Sequence, residues 1–109
     1  MQASRRHLGA VGESVALGFL SRRGARLVAR NLACPCGEID LLVSVDGLLV
    51  AVEVKTRVGG DPADQFTVAK QRAMREAAAS LHPRPDRVDL VTVRFDRSGA
   101  TMRWIRSVL

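Results

Sequence analysis

The dipeptide Asp46-Gly47 limits the fold of this chain more than any other feature of its 109 residues. It separates two runs of mostly β-branched and apolar residues, 39–45 and 48–54. An Asp-Gly pair between such runs predicts a β-hairpin with a two-residue type I′ turn, because that turn requires positive φ at both central residues. Val45 then faces Leu48, and this pair fixes the register of both strands.

The predicted register brings acidic side chains of the two strands together. Counting outward from the turn puts Asp40 opposite Glu53 and Glu38 opposite Lys55, with all four side chains on one face. Directly opposed carboxylates destabilise a sheet unless something neutralises them. A shared divalent cation such as Mg²⁺ would do so, and Lys55 beside it could orient an anionic group. The alternative is an ordinary charged hairpin face with a Glu38–Lys55 ion pair.

The rest of that hairpin face favours the metal interpretation. Its other positions are small or apolar, and they are Leu42, Ser44, Leu49 and Ala51. The acids therefore lie at the rim of a buried surface, where unneutralised charge is costly.

The whole chain predicts an α/β fold: a mixed five-stranded sheet flanked by helices, in the order α-β-β-β-α-β-β, as a single domain over residues 1–109. The predicted elements are a helix over 4–23, strands over 25–31, 39–45 and 48–54, a helix over 68–81, and strands over 88–95 and 101–105. Residues 32–36 are predicted to be a loop, and residues 58–66 a flexible polar connection. A strand, a crossover helix and another strand predict a parallel pair.

Polar residues of both predicted helices face the acidic edge of the sheet. Glu13 lies at the border of the first helix's apolar stripe and is predicted to point toward the hairpin carboxylates, unless it is simply a solvated helix acid. Lys70 and Gln71 occupy the first turn of the second helix on its inward side, although the long side chain of Lys70 could instead reach water.

Composition favours an anionic partner. The chain has 17 Lys and Arg against 11 Asp and Glu, a formal net charge of +6, which suits nucleic acid or an acidic membrane surface.

No apolar run reaches the roughly 20 residues of a membrane span, and no signal peptide is evident, so a cytoplasmic protein is expected. The few aromatic residues lie in or near predicted core elements, which argues against single-strand binding by base stacking. Cys34 and Cys36 are predicted to be reduced loop cysteines rather than half of a zinc site.

Several short motifs together resemble a known family. They are Gly12-Glu13, Asn31, Gly37-Glu38-Ile39-Asp40-Leu41, Val52-Glu53-Val54-Lys55-Thr56-Arg57, Lys70-Gln71-Arg72, Arg87-Val88-Asp89 and Trp104-Ile105-Arg106. In this order and spacing they resemble the YraN-like family of small bacterial proteins, over nearly the whole chain. Asp40 followed by Glu53-Val54-Lys55 also resembles the core of the PD-(D/E)XK nuclease superfamily, which includes archaeal Holliday-junction resolvases. Two motifs depart from the family pattern: Val58-Gly59-Gly60 stands where Phe-Gly is usual, and Val88 where Phe is usual.

The resemblance implies a restriction-endonuclease-like fold and assigns roles to particular residues. The implied metal site comprises Asp40, Glu53, the carbonyl of Val54 and, as a supporting acid, Glu13. Lys55 would position the attacking water or stabilise charge on the phosphate, and Gln71 or Lys70 would assist from the second helix. The implied cofactor is Mg²⁺ or Mn²⁺.

These observations lead to the expectation of a metal-dependent endonuclease that hydrolyses DNA phosphodiester bonds, with branched DNA as a candidate substrate. A homodimer that cuts two strands symmetrically is expected. Phosphates beside the cut would be neutralised by basic residues, among them Arg5, Arg6, Arg22, Arg57, Arg72 and Arg75. Two alternatives remain. One is a catalytically silent nucleic-acid-binding module of the same fold, and the other is an interaction protein whose positive surface contacts a protein or lipid.

Overall fold

A computed structural model describes residues 4–109 of the chain. Its elements are α1 (Arg5–Ser21), β1 (Arg26–Cys34), β2 (Gly37–Val45), β3 (Leu48–Val58), α2 (Val68–Ser80), β4 (Arg87–Asp96) and β5 (Gly99–Ile105). The strands form one sheet in the order β1-β2-β3-β4-β5. All neighbouring strands are antiparallel except β3 and β4, which are parallel. The predicted mixed five-stranded α/β architecture and its element order are therefore confirmed.

The hairpin turn has the predicted geometry. Val45 pairs with Leu48, and the two residues between them have φ values of 53° at Asp46 and 76° at Gly47. Positive φ at both positions matches a type I′ turn, whose twist fits the right-handed twist of the flanking strands. The register of the sheet's centre therefore follows from these two residues.

Each face of the sheet carries one helix and one apolar core. On one face Ala16, Phe19 and Leu20 of α1 pack on alternate strand residues, including Val43 and Val52. On the other face Met74 and Ala77 of α2 pack on the intervening residues, including Leu42 and Ala51. The alternation follows from the two-residue period of a strand. Neither helix within residues 4–109 has the length and apolar character needed to cross a membrane.

The first strand is longer than the sequence predicts. Leu32, Ala33 and Cys34 pair with Ile39, Glu38 and Gly37, so they belong to β1. The predicted loop over residues 32–36 is therefore wrong for residues 32–34, because β2 offers main-chain partners that local sequence rules do not reveal. Only residues 35 and 36 form the turn, and both cysteines are free thiols.

The connection between β3 and α2 is more ordered than the prediction of a flexible polar segment. It contains a short 3-10 helix, Pro62–Gln65, whose N-cap Asp61 accepts a hydrogen bond from the Ala63 N–H at 3.0 Å. Pro62 is buried, and Phe66 is only 7% exposed within the α2-side core. These two apolar side chains hold the segment against the sheet.

Helix α1 approaches β3 so closely at Gly12 that no side chain fits there. A Cβ at Gly12 would lie 2.9 Å from both Cβ and Cγ2 of Thr56, whereas a Cβ at Gly9 would meet nothing within 4 Å. We expect Gly12→Ala to lower the free energy of unfolding by about 1–3 kcal/mol through overpacking.

The same substitution at Gly9, about one helical turn earlier, serves as the control. Gly9→Ala should raise the free energy of unfolding by about 0.5–1 kcal/mol, because alanine favours a helix over glycine. Urea denaturation of both variants checks this pair of opposite signs. Equal effects at the two sites would show that close packing on Thr56 does not position α1.

Candidate metal centre

Three carboxylates from two elements meet at one end of the hairpin. Glu13 of α1 and Glu38 and Asp40 of β2 each offer an oxygen, and these three oxygens lie within 4.8 Å of one another. We call these three residues the acidic cluster. Carboxylate oxygens at such spacing are suitable ligands for Mg²⁺ or Mn²⁺.

The acidic cluster lies where β2 and β3 separate. Their ladder ends at the Leu41–Val52 pair, so the predicted pairs Asp40–Glu53 and Glu38–Lys55 lie beyond it. The Val54 N–H donates to Oδ2 of Asp40 at 2.8 Å. A side chain thus takes the hydrogen bond that the ladder would otherwise supply, and Asp40 is held at the point of separation.

Glu53 and Lys55 form an ion pair beside this cluster. The Lys55 Nζ and Glu53 Oε1 are 3.0 Å apart, and their side chains are only 15% and 13% exposed. The two residues are two positions apart on β3 and therefore share a face. The alternative of a Glu38–Lys55 ion pair is wrong, because Lys55 pairs along its own strand.

The pKa of Asp40 is raised to about 7, chiefly because burial destabilises its ionised form, and the negative charges of Glu53 and Glu13 contribute in the same direction. The Val54 N–H and the charge of Lys55 oppose this shift without cancelling it. Asp40 is therefore a carboxylate whose ionised form is destabilised by its surroundings. A bound cation is the partner that would reverse this.

Asn31 holds two members of the acidic cluster together. Its Nδ2 donates to Oε1 of Glu13 at 2.8 Å and to Oε1 of Glu38 at 3.1 Å. Its φ of 54° is left-handed, a conformation that Asn tolerates better than most residues. The sequence alone predicts no role for Asn31, because its strand also carries Arg26 and Arg30 and a third polar residue does not stand out there.

Three clefts open onto this region. The largest, about 620 Å³, is lined by Glu13, Asp40, Glu53, Val54, Lys55, Arg5 and Arg57 among others. A second, about 390 Å³, adds Lys70 and Cys36 to Glu38, Asp40, Glu53 and Lys55. A third, about 440 Å³, lies between Arg6, Arg30, Glu13 and Glu38. The clefts thus combine the acids with basic side chains.

The structure brings together most of the predicted site residues. Glu13, Asp40, Glu53, Val54 and Lys55 share the largest cleft, and Lys70 lies on the α2 wall of another. Gln71 is placed differently, since its Nε2 donates to the Phe66 carbonyl at 3.0 Å. That bond fixes the start of α2. The catalytic roles of these residues stay predictions.

The shifted pKa of Asp40 makes metal-free stability depend on pH. The unfolded chain keeps a value near 3.8, while the folded value is about 7. Between these values the folded protein binds more protons than the unfolded chain, so the free energy of unfolding falls as pH rises, by roughly 2–4 kcal/mol in total. The loss begins near pH 3.8 and levels off above about pH 7.

Urea denaturation between pH 4 and 8 in a chelator checks this expectation. The contribution of Asp40 is the difference between wild type and Asp40→Asn, because all other titrating groups are shared. We expect this difference to change across the interval. A constant difference would contradict the shift.

Comparison with known proteins places the chain among bacterial relatives of similar length. The model of the uncharacterised protein family UPF0102 matches residues 12–93, which include the whole acidic cluster. A UPF0102 protein of Symbiobacterium thermophilum is 42% identical over 97 residues, covering 81% of this chain and 82% of the relative. One of Corynebacterium efficiens is 43% identical over 103 residues, covering 88% and 84%. One of Pelotomaculum thermopropionicum is 35% identical over 112 residues, covering 94% and 93%.

Proposed function

The chain belongs to the uncharacterised protein family UPF0102, the YraN-like family, and we propose that it is a metal-dependent endonuclease of the PD-(D/E)XK type that hydrolyses DNA phosphodiester bonds. The observation that carries this proposal is the acidic cluster at the split between β2 and β3, with the Glu53–Lys55 ion pair beside it. Acids for a cation and a lysine for a phosphate thus occupy the same cleft.

The residues fit a hard divalent cation. The donors are all carboxylate oxygens, which suit Mg²⁺ and Mn²⁺. The negative charge of Glu13 contributes to the raised pKa of Asp40. Asp40, Glu13 and Glu38 would hold the cation, with Glu53 and the Val54 backbone completing the site from β3. When bound, the cation would polarise a phosphate oxygen and make a water more acidic.

The protein's own groups position the other participants. Glu53 fixes the Lys55 Nζ at 3.0 Å, so the lysine charge is held where a phosphate enters the cleft. There it would stabilise negative charge on the phosphate and orient the attacking water. Asn31 keeps Glu13 and Glu38 in place, which makes it a positioning residue. Lys70 reaches the same region from α2.

DNA suits this cleft because its phosphates are anionic and the chain is basic. The formal net charge is +6, and Arg5 and Arg57 line the largest cleft beside the acids. Arginines at these positions would neutralise phosphates on either side of the one that is cut. This arrangement places positive charge around a small negative centre, as a metal-dependent nuclease requires.

Purified protein incubated with linear, nicked and branched DNA tests the proposal. We expect cleavage with Mg²⁺ or Mn²⁺ and none in a chelator. A Holliday-junction resolvase run in parallel shows that the substrates can be cut. If the chain cuts none of them while the resolvase does, the catalytic proposal fails. DNA binding without cleavage would then identify a nucleic-acid-binding module.

A further inference from the structure

A second basic pocket lies on the α2 side of the sheet, away from the acidic cluster. It has a volume of about 200 Å³ and is lined by Thr92 and Arg94 of β4 and Thr101 and Arg103 of β5. Residues 60–62, which lead into the 3-10 helix, form its remaining wall. Neither arginine is among the phosphate contacts expected from the sequence.

The register of β4 and β5 makes these four side chains converge. Thr92 pairs with Arg103, and Arg94 pairs with Thr101. Directly paired side chains share a face, so the two arginines lie on one diagonal and the two threonines on the other. Two guanidinium forks and two hydroxyl groups in a small pocket are the donors that bind a phosphate.

The acids near this pocket leave its positive charge largely available. Asp61 turns its Oδ1 toward the Ala63 N–H at 3.0 Å. Asp96 is 3.9 Å from the Nη2 of Arg94, which is a long ion pair at an exposed position. Within residues 4–109, Arg103 has no ion-pair partner. The positive charge of the pocket is therefore available to bind an external anion.

The pocket is aligned with the candidate metal centre across the sheet. Lys55 pairs with Thr92, and Thr92 pairs with Arg103, so these residues form one row over β3, β4 and β5. With strands about 4.8 Å apart, Lys55 and Arg103 are separated by about 10 Å at the backbone. Measured along the helix axis of B-DNA, each strand carries a phosphate about every 3.4 Å, so about 10 Å along that axis corresponds to about three nucleotides. The 3-10 helix joins the two sites, because Gln65 lines the metal cleft and Pro62 lines the pocket.

We propose that Arg94, Arg103, Thr92 and Thr101 form a subsite for a nucleic-acid backbone phosphate, a few nucleotides from the phosphate at the metal centre. The identity of the ligand rests on the proposed function. The subsite would set the position of the DNA strand on the sheet, so that the metal centre meets one defined phosphate.

Equilibrium DNA binding in a chelator tests the subsite without cleavage. We expect the double variant Arg94→Gln/Arg103→Gln to bind a fluorescent DNA duplex roughly 10-fold more weakly than wild type, because one phosphate loses its charged partners. The slope of log affinity against log salt should become less negative by about one. Both arginines are exposed, so the protein should stay folded, and circular dichroism verifies this.

The matched control is Arg97→Gln/Arg84→Gln, which removes the same charge from exposed sites outside the pocket. We expect it to weaken binding by less than about threefold and to leave the salt slope nearly unchanged. Equal losses in the two double variants would overturn the subsite, and so would wild-type affinity in the pocket variant. The binding assay contains no metal, so its result does not depend on whether the chain cleaves DNA. If wild type cleaves DNA and the pocket variant binds DNA as tightly as wild type, the subsite is refuted and the proposed function is not.

Discussion

The Asp40→Asn variant is expected to lose DNA cleavage by roughly 1,000-fold or more in kcat, while its affinity for DNA in a chelator stays close to that of wild type. The amide oxygen of Asn can still accept the hydrogen bond from the Val54 N–H, so the split between β2 and β3 should be kept. The amide lacks the negative charge that holds a cation between Glu13, Glu38 and Asp40. Single-turnover cleavage with Mg²⁺, together with anisotropy in a chelator, separates chemistry from binding.

Asp46→Asn is the control for this variant. It makes the same chemical change in the same hairpin, but at the exposed turn, where Asn-Gly supports the type I′ geometry as well as Asp-Gly. Its cleavage rate should match that of wild type. Cleavage by Asp40→Asn within tenfold of wild type would mean that the acidic cluster is not the catalytic centre, even if the chain proves to be a nuclease.

The parts of the fold that the sequence predicted depend on local rules. Asp46-Gly47 specifies its own turn, and Thr67 accepts a hydrogen bond from the Lys70 N–H as the predicted N-cap of α2. The alternation of apolar residues on β2 and β3 then assigns the two faces. Since each of these signals is read within a few residues, one sequence is enough to recover them.

The differences arise where a distant partner decides the outcome. Counting from the turn predicts that the ladder of β2 and β3 continues to an Asp40–Glu53 pair. Instead, the Asp40 carboxylate accepts a hydrogen bond from the Val54 N–H, and the ladder ends at Leu41–Val52. Counting residues from the turn cannot reveal that a side chain replaces a main-chain acceptor. The same reason explains Lys55, whose partner is Glu53 on its own strand.

The sequence predicts the main acidic residues of the candidate site but not the residue that holds them in place. Glu13 was expected near the hairpin acids from its position on α1, and it does join Asp40. Glu38 was placed on the correct side but given an ordinary ion-pair role. Asn31, which bonds Glu13 and Glu38, was missed because its function depends on a left-handed backbone conformation that no local pattern announces.

Asp89 is a buried acid for which the sequence alone predicts no role. It is two residues before Val91 on β4, so its side chain points into the α1-side core, and its exposed fraction is 0%. An acid in phase with buried valines must have partners there. Arg87 donates to it twice, from Nε to Oδ1 at 2.8 Å and from Nη2 to Oδ2 at 2.9 Å.

Two further donors make Asp89 a link to the end of the chain. The Trp104 Nε1 donates to Oδ2 at 2.8 Å, and the Ser107 N–H donates to Oδ1 at 2.9 Å. These bonds tie β4 to β5 and to the residues that follow β5. The guanidinium of Arg106 covers the outer face of the Trp104 ring at 3.9 Å, which keeps the indole in place.

We expect Asp89→Ala to lower the free energy of unfolding by about 3–5 kcal/mol, because the charge of Arg87 and two N–H groups lose their acceptor in a buried site. For a domain of this size the loss should lower Tm by more than about 10 °C. Asp86→Ala is the control, since Asp86 is exposed and accepts one hydrogen bond, from the Leu49 N–H at 2.8 Å. Loss of this hydrogen bond in Asp86→Ala should lower the free energy of unfolding by only about 1 kcal/mol.

Urea denaturation of the two variants, followed by cleavage assays at low temperature, separates stability from chemistry. Asp89 lies outside the acidic cluster, so the fraction of Asp89→Ala that stays folded should cleave DNA at the wild-type rate. A strong loss of cleavage by fully folded Asp89→Ala would instead give this acid a role in the reaction. Equal stability losses for Asp89→Ala and Asp86→Ala would contradict the assignment of Asp89 as the buried link between β4, β5 and Ser107, because four hydrogen bonds would then count no more than one.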